Sequence, residues 1–541
     1  MDALPTHPVA TSPADGIWTR RALGMLALLF AWRVTYLAIC PLELCPDEAY
    51  YWDWSRQLDW GYYSKPPMVA WIIGLATRIG GHSEFMIRLP AACLGTLGLW
   101  PVYMLARRLF DARVGFWTLI AVAATPGMAA MSLLMTIDAP FLCAWAFAVW
   151  CVWELLSPRP MNVRWLPAAI VATGLGLLSK QTMIAIVPLS LLWLATSSVD
   201  RRKLFSPVVW MWIGGSLLFL APVIWWNQQH GWITAQHTSE HFQSKSASMG
   251  QHTVWFFEFW ASQFGVVSPI SCGLMIGLTV TGLWSWRQTD RRVQYLICFS
   301  AIPMLGVSGL SAFQRVQPNW PAAFHLTAFV LLAAWGCGAW SVTVSADRIR
   351  RWFPAGVATG GVLAVAVYVV PFVVPNSPLA GGSLDATARL RGWKALGLGV
   401  GEELQATSRS RQTLLIAATG RGPVSTLAYY VPGQPHVYRW NRTGCVESQH
   451  EIWGGVRGHP GWDAVLVTHG GAELAAELAA AFDDVEQGPL VEARLGADRI
   501  QQLQLWHGRG FRRWPEPIDR PATFRTAALR LANHTTEDEA P

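Results

Sequence analysis

Asp47 and Glu48 stand side by side in Pro46-Asp47-Glu48-Ala49-Tyr50-Tyr51-Trp52-Asp53-Trp54, and Lys65 follows in Trp60-Gly61-Tyr62-Tyr63-Ser64-Lys65-Pro66-Pro67. A fixed carboxylate can take the proton of an attacking hydroxyl or amine, a role typically worth about 10²- to 10⁴-fold in rate. Asp47 is the candidate base. A lysine ahead of two stiff prolines offers a point charge to a departing phosphate. Tyr50, Tyr51, Trp52, Trp54, Trp60, Tyr62 and Tyr63 add an amphipathic aromatic surface suited to a sugar ring or a prenyl chain. Each feature also has a plainer reading: Pro46-Asp47 as a helix N-cap, the aromatics as an interfacial belt, and Lys65 as a snorkelling side chain. Interleaving of the aromatics with Asp47, Glu48, Asp53, Asp59 and Lys65 is more than a belt requires.

Further candidates recur downstream. Asp138 sits in Thr136-Ile137-Asp138-Ala139-Pro140, a tight hairpin between apolar segments, where it either converges with Asp47 or caps the next helix. Lys180 in Leu178-Ser179-Lys180 and Arg315 in Gln314-Arg315-Val316-Gln317-Pro318-Asn319 are the strong charges of their connections. Preorganised cations lower a barrier most where water is scarce, so both suit a leaving phosphate; the alternative is anchoring of a helix end at the headgroups. Gln317, Asn319 and His230, the last in Trp226-Asn227-Gln228-Gln229-His230-Gly231-Trp232, supply hydrogen-bonding groups. His237, His241 and His252 follow, but no carboxylate pattern accompanies them, so no metal or other cofactor is indicated.

The elements that must position these residues are apolar. Of 541 residues 52% are hydrophobic and 14% charged, far more apolar than a water-soluble core requires. Windows of about 20 residues, enough to cross a bilayer, predict eleven spans: 18–40, 89–106, 114–135, 138–156, 165–179, 182–198, 207–226, 266–286, 293–311, 320–342 and 354–374. Val254 to Phe264 reads as an interfacial helix or a lead into the next span. Clusters such as Arg107-Arg108, Arg201-Arg202-Lys203, Arg291-Arg292 and Arg350-Arg351 fall on alternate connections, which predicts a cytoplasmic N-terminus and places the loops carrying Asp47, Asp138, Lys180 and Arg315 outside. This asymmetry uses up most of the net charge of +7, so no nucleic-acid partner is inferred.

After about residue 375 the long apolar windows stop. Strand-like runs at 413–419, 436–440, 463–467 and 500–506, with a helix-like stretch at 472–482, predict a small extracytoplasmic α/β domain. The resulting layout is a disordered 1–16, a transmembrane catalytic domain over 17–375, the α/β domain over 376–533 and an acidic disordered tail at 534–541. Nine scattered cysteines show no disulfide framework or zinc spacing.

Taken together, Pro46 to Trp52, Gly61-Tyr62-Tyr63 with Pro66-Pro67-Met68, Arg88-Leu89-Pro90, Thr136 to Pro140, Leu178-Ser179-Lys180, Trp226 to Trp232 and Arg315 to Pro321 resemble the bacterial glycosyltransferase family 39. These are GT-C membrane enzymes similar to dolichyl-phosphate-mannose protein mannosyltransferases and to the lipid A aminoarabinose transferase. The resemblance spans roughly residues 20 to 345. It implies a polytopic α-helical fold and an inverting transferase that uses a polyprenyl-phosphate-linked sugar at the outer face of the bacterial inner membrane. On this likeness the catalytic acids fall on Asp47, Glu48 and Asp138, and the phosphate-side cations on Lys65, Lys180 and Arg315. Many relatives have Asp-His before the Pro-Pro pair; Ser64-Lys65 looks more like the lipid A transferases, which points to a lipid or envelope-glycan acceptor. The alternatives are protein O-mannosylation and a lipid-linked sugar flippase. A flippase is expected to line its path with charges inside the spans, where few occur.

Overall fold

A computed structural model describes residues 13–240, 248–341, 349–408, 412–496 and 499–515. The acidic tail and most of the polar N-terminal segment lie outside these residues, as does His241. The chain divides into two compact units. Unit one comprises the described residues of Met1–Ile39, Arg88–Val223 and Phe242–Val369, and unit two those of Cys40–Ile87, Ile224–His241 and Val370–Pro541.

Unit one is helical. Helices Asp138–Leu156 and Ala322–Gly336 are apolar on every face and buried almost throughout, as expected of helices without a polar stripe. Trp145 of the first packs edge-on against Phe324 of the second and against Phe299 of helix Arg291–Ser311. Helices Pro13–Ile39 and Trp352–Val373 instead expose apolar side chains such as Leu28 and Val362, faces suited to lipid.

Six helices are long and apolar enough to cross a membrane, or up to seven if one bent pair counts as a span, among the described residues. The remaining expected spans are shorter or broken. Segment 114–135 divides into Ala112–Ala123 and Pro126–Met131, because Thr125 caps the second helix and Pro126 opens it. Met249–Val267 meets Pro269–Trp284 at 112°, with Ser268 at φ 110° just before Pro269. The aromatic stretch 254–264 lies within the first of these two helices. Val163–Leu177, Gln181–Ala195 and Ala322–Gly336 are shorter apolar helices. Met68–Gly80 is an apolar helix that the sequence windows did not pick out.

Unit two carries a five-stranded mixed sheet. Strands β1 (Thr413–Ala417), β2 (Tyr438–Arg439), β3 (Asp463–His469), β4 (Phe482–Arg494) and β5 (Ile500–Phe511) are ordered β2-β1-β3-β5-β4. β1 runs parallel to β2 and β3, whereas β5 is antiparallel to both β3 and β4. The strand-like runs expected at 413–419, 436–440, 463–467 and 500–506 coincide with four of these strands. β4 was not expected, because acidic residues and the pair Gly488-Pro489 interrupt its apolar positions; its pairing with β5 holds it in place. The helix expected over 472–482 shrinks to Ala476–Ala479, since Phe482 already pairs with Phe511 in the sheet.

Candidate functional sites

In unit one, three separate motifs meet at Asp138. This residue opens helix Asp138–Leu156, where a negative charge is favoured by the helix dipole. Lys180 Nζ donates to Asp138 Oδ1 at 2.8 Å, and Asn319 Nδ2 donates to Oδ2 at 2.6 Å. Lys180 also sits 5.4 Å above the Phe141 ring, within cation–π range. Asp138 and Lys180 are both buried. Asp138 therefore does not cap its helix, for which Ile137 is the N-cap; its carboxylate is turned to two other connections. Gln263 supports the third connection by donating to the Pro318 carbonyl at 3.1 Å, while His325 Nε2 bonds to Gln263 Oε1 at 3.0 Å. No motif flagged either residue, since a glutamine and a histidine on apolar helices carry no spacing signal.

Arg315 and Gln317 do not join this cluster's hydrogen bonds. Arg315 is largely exposed and pairs with Glu258, and Gln317 is exposed. His252 Nδ1 donates to the Ala312 carbonyl at 2.8 Å. Among the described residues there is no group of three or more His, Cys, Asp or Glu able to hold a metal ion.

In unit two, Pro46 opens helix Pro46–Arg56 and Cys45 is its N-cap. The carboxylates of this helix have different surroundings. Glu48 is fully buried, and its Oε2 accepts from the Cys45 amide at 3.1 Å, completing a capping box. Asp53 is also buried, 3.4 Å from Arg56 Nη1. Asp47 alone of the three faces solvent, its side chain 48% exposed. Its Oδ1 accepts from Arg421 Nη2 at 2.9 Å, while Oδ2 has no partner among the described residues. Arg421 in turn lies 4.9 Å over the Tyr50 ring. The N-cap position expected at Asp47 thus belongs to Cys45, with Glu48 completing the box, and Asp47 keeps one oxygen without a partner among the described residues.

The aromatics of the loop are mostly structural. Tyr62 is fully buried and stacks on Trp54, with ring centroids 4.4 Å apart. Its hydroxyl accepts from the Asp59 amide at 3.1 Å and donates toward the Gln57 carbonyl at 3.0 Å. Tyr63 packs against His237 at 4.7 Å and donates its amide to Gln449 Oε1 at 2.7 Å. Lys65 is half-buried, and its carbonyl accepts from the Tyr62 amide. Trp226 anchors the loop through a 2.6 Å hydrogen bond from its Nε1 to Asp59 Oδ2. His230 stacks on Trp226 at 3.9 Å and donates from Nδ1 to the Trp226 carbonyl at 2.8 Å.

Ser425, His450 and Asp53 form a buried line that at first sight suggests a nucleophilic serine. The hydrogen bonds exclude that use. Ser425 donates to the Arg421 carbonyl at 2.9 Å, so His450 Nε2, 3.1 Å away, must donate to Ser425 Oγ. Nδ1 is then the unprotonated nitrogen and faces Asp53 Oδ2 at 3.7 Å, the reverse of the tautomer a serine base requires. Burial pushes Asp53 up to about 7, with Arg56 opposing, and holds His450 down to about 3. Both are buried groups of the core.

Asp47 lies on the wall of an open cleft of about 500 Å³ within unit two. Arg389, Arg421, Arg499, Trp393 and Gln501 line it with Asp47. Glu43 Oε2 accepts from the amides of Trp393 and Lys394 at 2.6 and 3.1 Å, holding the first turn of helix Trp393–Ser408 at this wall. None of the three arginines, nor Glu43, stood out in the sequence, because they are scattered through segments without a motif.

Residues 64–226 match the family described as dolichyl-phosphate-mannose-protein mannosyltransferase. The chain is 28% identical over 322 residues to the lipid A galacturonosyltransferase RgtD of Rhizobium johnstonii, covering 58% of this chain and 65% of that protein. It is 26% identical to the undecaprenyl phosphate-alpha-4-amino-4-deoxy-L-arabinose arabinosyl transferase of Erwinia tasmaniensis, over 69% of this chain and 71% of the relative. Thus the chain spans just under two thirds of the galacturonosyltransferase it matches. The crystal structure of ArnT from Cupriavidus metallidurans bound to undecaprenyl phosphate superposes with a TM-score of 0.60 at 16% identity, covering 92% of this chain and 99% of that one. The fold is shared with that protein, and the matches to a mannosyltransferase family and to lipid-linked sugar transferases agree with the resemblance read from the motifs.

Proposed function

We propose that this protein is a membrane glycosyltransferase that moves a sugar from a polyprenyl-phosphate carrier to a lipid acceptor, with inversion at the anomeric carbon and Asp47 as general base. The single observation that carries the reading is the state of Asp47. It is the exposed carboxylate of its helix, with one oxygen fixed by Arg421 and the other without a partner among the described residues. The names of the relatives supply the substrate classes: undecaprenyl phosphate as carrier and lipid A as acceptor.

In this mechanism Asp47 Oδ2 accepts the proton of the acceptor hydroxyl or amine as its lone pair attacks the anomeric carbon. The bond to the carrier oxygen breaks on the opposite side, and the polyprenyl phosphate departs with the electron pair. Growing charge on that phosphate is the quantity a preorganised cation stabilises. Lys65 is assigned to it in unit two; in unit one Lys180 is the candidate phosphate cation, held by Asp138, whose other oxygen accepts from Asn319. The positive-inside pattern supports a cytoplasmic N-terminus, with the connection bearing Asp47 and the C-terminal domain on the outer side of a bacterial inner membrane.

Transfer of labelled sugar from a panel of polyprenyl-phosphate donors, in membranes carrying wild type or Asp47→Asn, tests the reading. Products are separated into lipid, polymer and protein fractions. Label in lipid with wild type alone is the expected result; equal transfer by both proteins removes Asp47 as base, and label in protein replaces the acceptor.

A further inference from the structure

We propose that Gln263 and His325 are positioning residues of the transfer reaction: acting through Pro318, they aim the Asn319 side chain at Asp138 and so keep the Lys180 ammonium available to a phosphate. The inference rests on the reading of Lys180 as a phosphate cation and adds what holds that lysine in a usable state.

The first observation is the saturation of the Gln263 amide. Gln263 is fully buried near the end of helix Met249–Val267. Its Nε2 donates to the Ser262 hydroxyl at 3.2 Å and to the Pro318 carbonyl at 3.1 Å, and its Oε1 accepts from His325 Nε2 at 3.0 Å. Ser262 gives its own proton to the Phe259 carbonyl at 2.6 Å, so toward Gln263 it can only accept. Each group of the amide thus has one assignment. Turning the amide over would set its oxygen against the Pro318 carbonyl and its NH2 against the His325 donor. His325, buried on the apolar helix Ala322–Gly336, is the group that fixes this choice.

The second is the restraint on Asn319 from both sides. On its N-terminal side the Pro318 carbonyl is held by Gln263. On its C-terminal side the Asn319 carbonyl accepts from the Ala322 amide at 3.2 Å, in the same first turn of Ala322–Gly336 that carries His325. With both flanking peptide planes fixed, the two soft dihedrals of Asn319 are fixed as well. Its side chain accordingly leaves the connection toward Asp138, with Nδ2 2.6 Å from Oδ2.

The third is the donor count at Lys180. An ammonium has three N–H donors. Lys180 gives one to Asp138 Oδ1 at 2.8 Å, and the others have no hydrogen-bond partner among the described residues. Asn319 occupies Oδ2. Were Asn319 to turn away, Oδ2 would take a second N–H of the same ammonium and draw Lys180 onto the carboxylate. A cation so committed to its counterion has less to offer a departing phosphate.

Two readouts on full-length protein in detergent test the inference: equilibrium binding of undecaprenyl phosphate with no sugar present, and transfer kinetics with the donor that the panel identifies. Gln263→Leu/His325→Leu removes both partners at once and leaves neither side chain buried and unpaired, so it should unfold near the wild-type midpoint. It should bind undecaprenyl phosphate about tenfold more weakly. Its kcat should fall by up to about 10²-fold at an unchanged acceptor KM, as expected of misplacement at the leaving phosphate. His325→Gln, whose amide N–H takes the Nε2 position, should keep most of both activities. In the Asp138→Asn/Lys180→Met background the leucine pair should cause no further loss, because the relay acts through that ammonium. Wild-type binding and kcat in the leucine pair, equal losses in His325→Gln, or losses that add to those of the background overturn the inference. Wild-type binding and transfer in Asp138→Asn/Lys180→Met itself would remove Lys180 as a phosphate cation and the relay with it. A weakened background beside an unimpaired leucine pair would remove the relay alone.

Discussion

Lys180 and Asp138, 42 residues apart in the chain, form a buried ion pair of 2.8 Å, and Asn319 completes the hydrogen bonding of the carboxylate. Removing one partner of such a pair strands the other charge, at a cost of about 3–5 kcal/mol, whereas removing both is far milder. Lys180→Met should therefore lower the unfolding midpoint in detergent sharply, and Asp138→Asn/Lys180→Met should regain most of it while transfer stays lost. An unchanged midpoint in Lys180→Met would mean that the pair is not formed.

Asp47 and Arg421 behave differently because both side chains are about half exposed. Exposed pairs are worth roughly 0–1 kcal/mol, so neither Asp47→Asn nor Arg421→Gln should move the unfolding midpoint appreciably. Transfer should fall about 10²- to 10⁴-fold in Asp47→Asn. Arg421→Gln should fall less, and the double variant should be no slower than Asp47→Asn, as expected for residues acting as a unit. Additive losses in this cycle would separate the two residues.

The buried pair Asp53 and His450 sets a pH dependence with opposing signs. Asp53 is raised to about 7, so its contribution to stability is present at low pH and is lost as pH rises from the ordinary carboxylate range through 7. His450 is lowered to about 3, so its contribution is present above the ordinary imidazole range and is lost as pH falls toward 3. Between about pH 4 and 6.5 the two slopes oppose each other. Asp53→Asn should unmask a midpoint that climbs with pH through this window. A flat profile in that variant would remove His450 as the opposing group.

Gly61 lies against Trp226, where an added Cβ would stand 2.8 Å from the indole ring. Forcing such an overlap typically costs about 1–3 kcal/mol. Gly61→Ala should lower the unfolding midpoint, and Trp226→Leu in the same chain should relieve part of the loss. No relief would place the strain elsewhere.

The legibility of the site varied with the distance over which its residues act. Asp47, Asp138, Lys180 and Asn319 stood out because each sits beside prolines or at the end of an apolar run, where a charge needs a reason. Tyr62 also stood out, but its type says nothing of direction: the same phenol that suits a sugar ring is turned inward and saturated by Asp59 and Gln57. Arg421, Arg389 and Arg499 were invisible, since single arginines in a polar domain have no period and no neighbour to mark them. The eleven expected spans stand beside six or seven helices long enough to cross among the described residues, for a related reason. A hydropathy window sums composition and does not register that Thr125-Pro126 or Ser268-Pro269 breaks a run into shorter helices.

By itself the sequence determined that most of this chain is apolar helix, that a small mixed domain follows, and that acids and cations punctuate the helix ends. These are consequences of composition and local pattern. Tertiary structure alone decided which acid is spent on a helix cap and which remains exposed. It also decided that Lys180 and Asn319 converge on Asp138, and that three distant arginines share one cleft with Asp47. Those outcomes depend on the direction in which each side chain leaves its element and on what long-range packing sets opposite it, and neither is encoded in residue type or spacing.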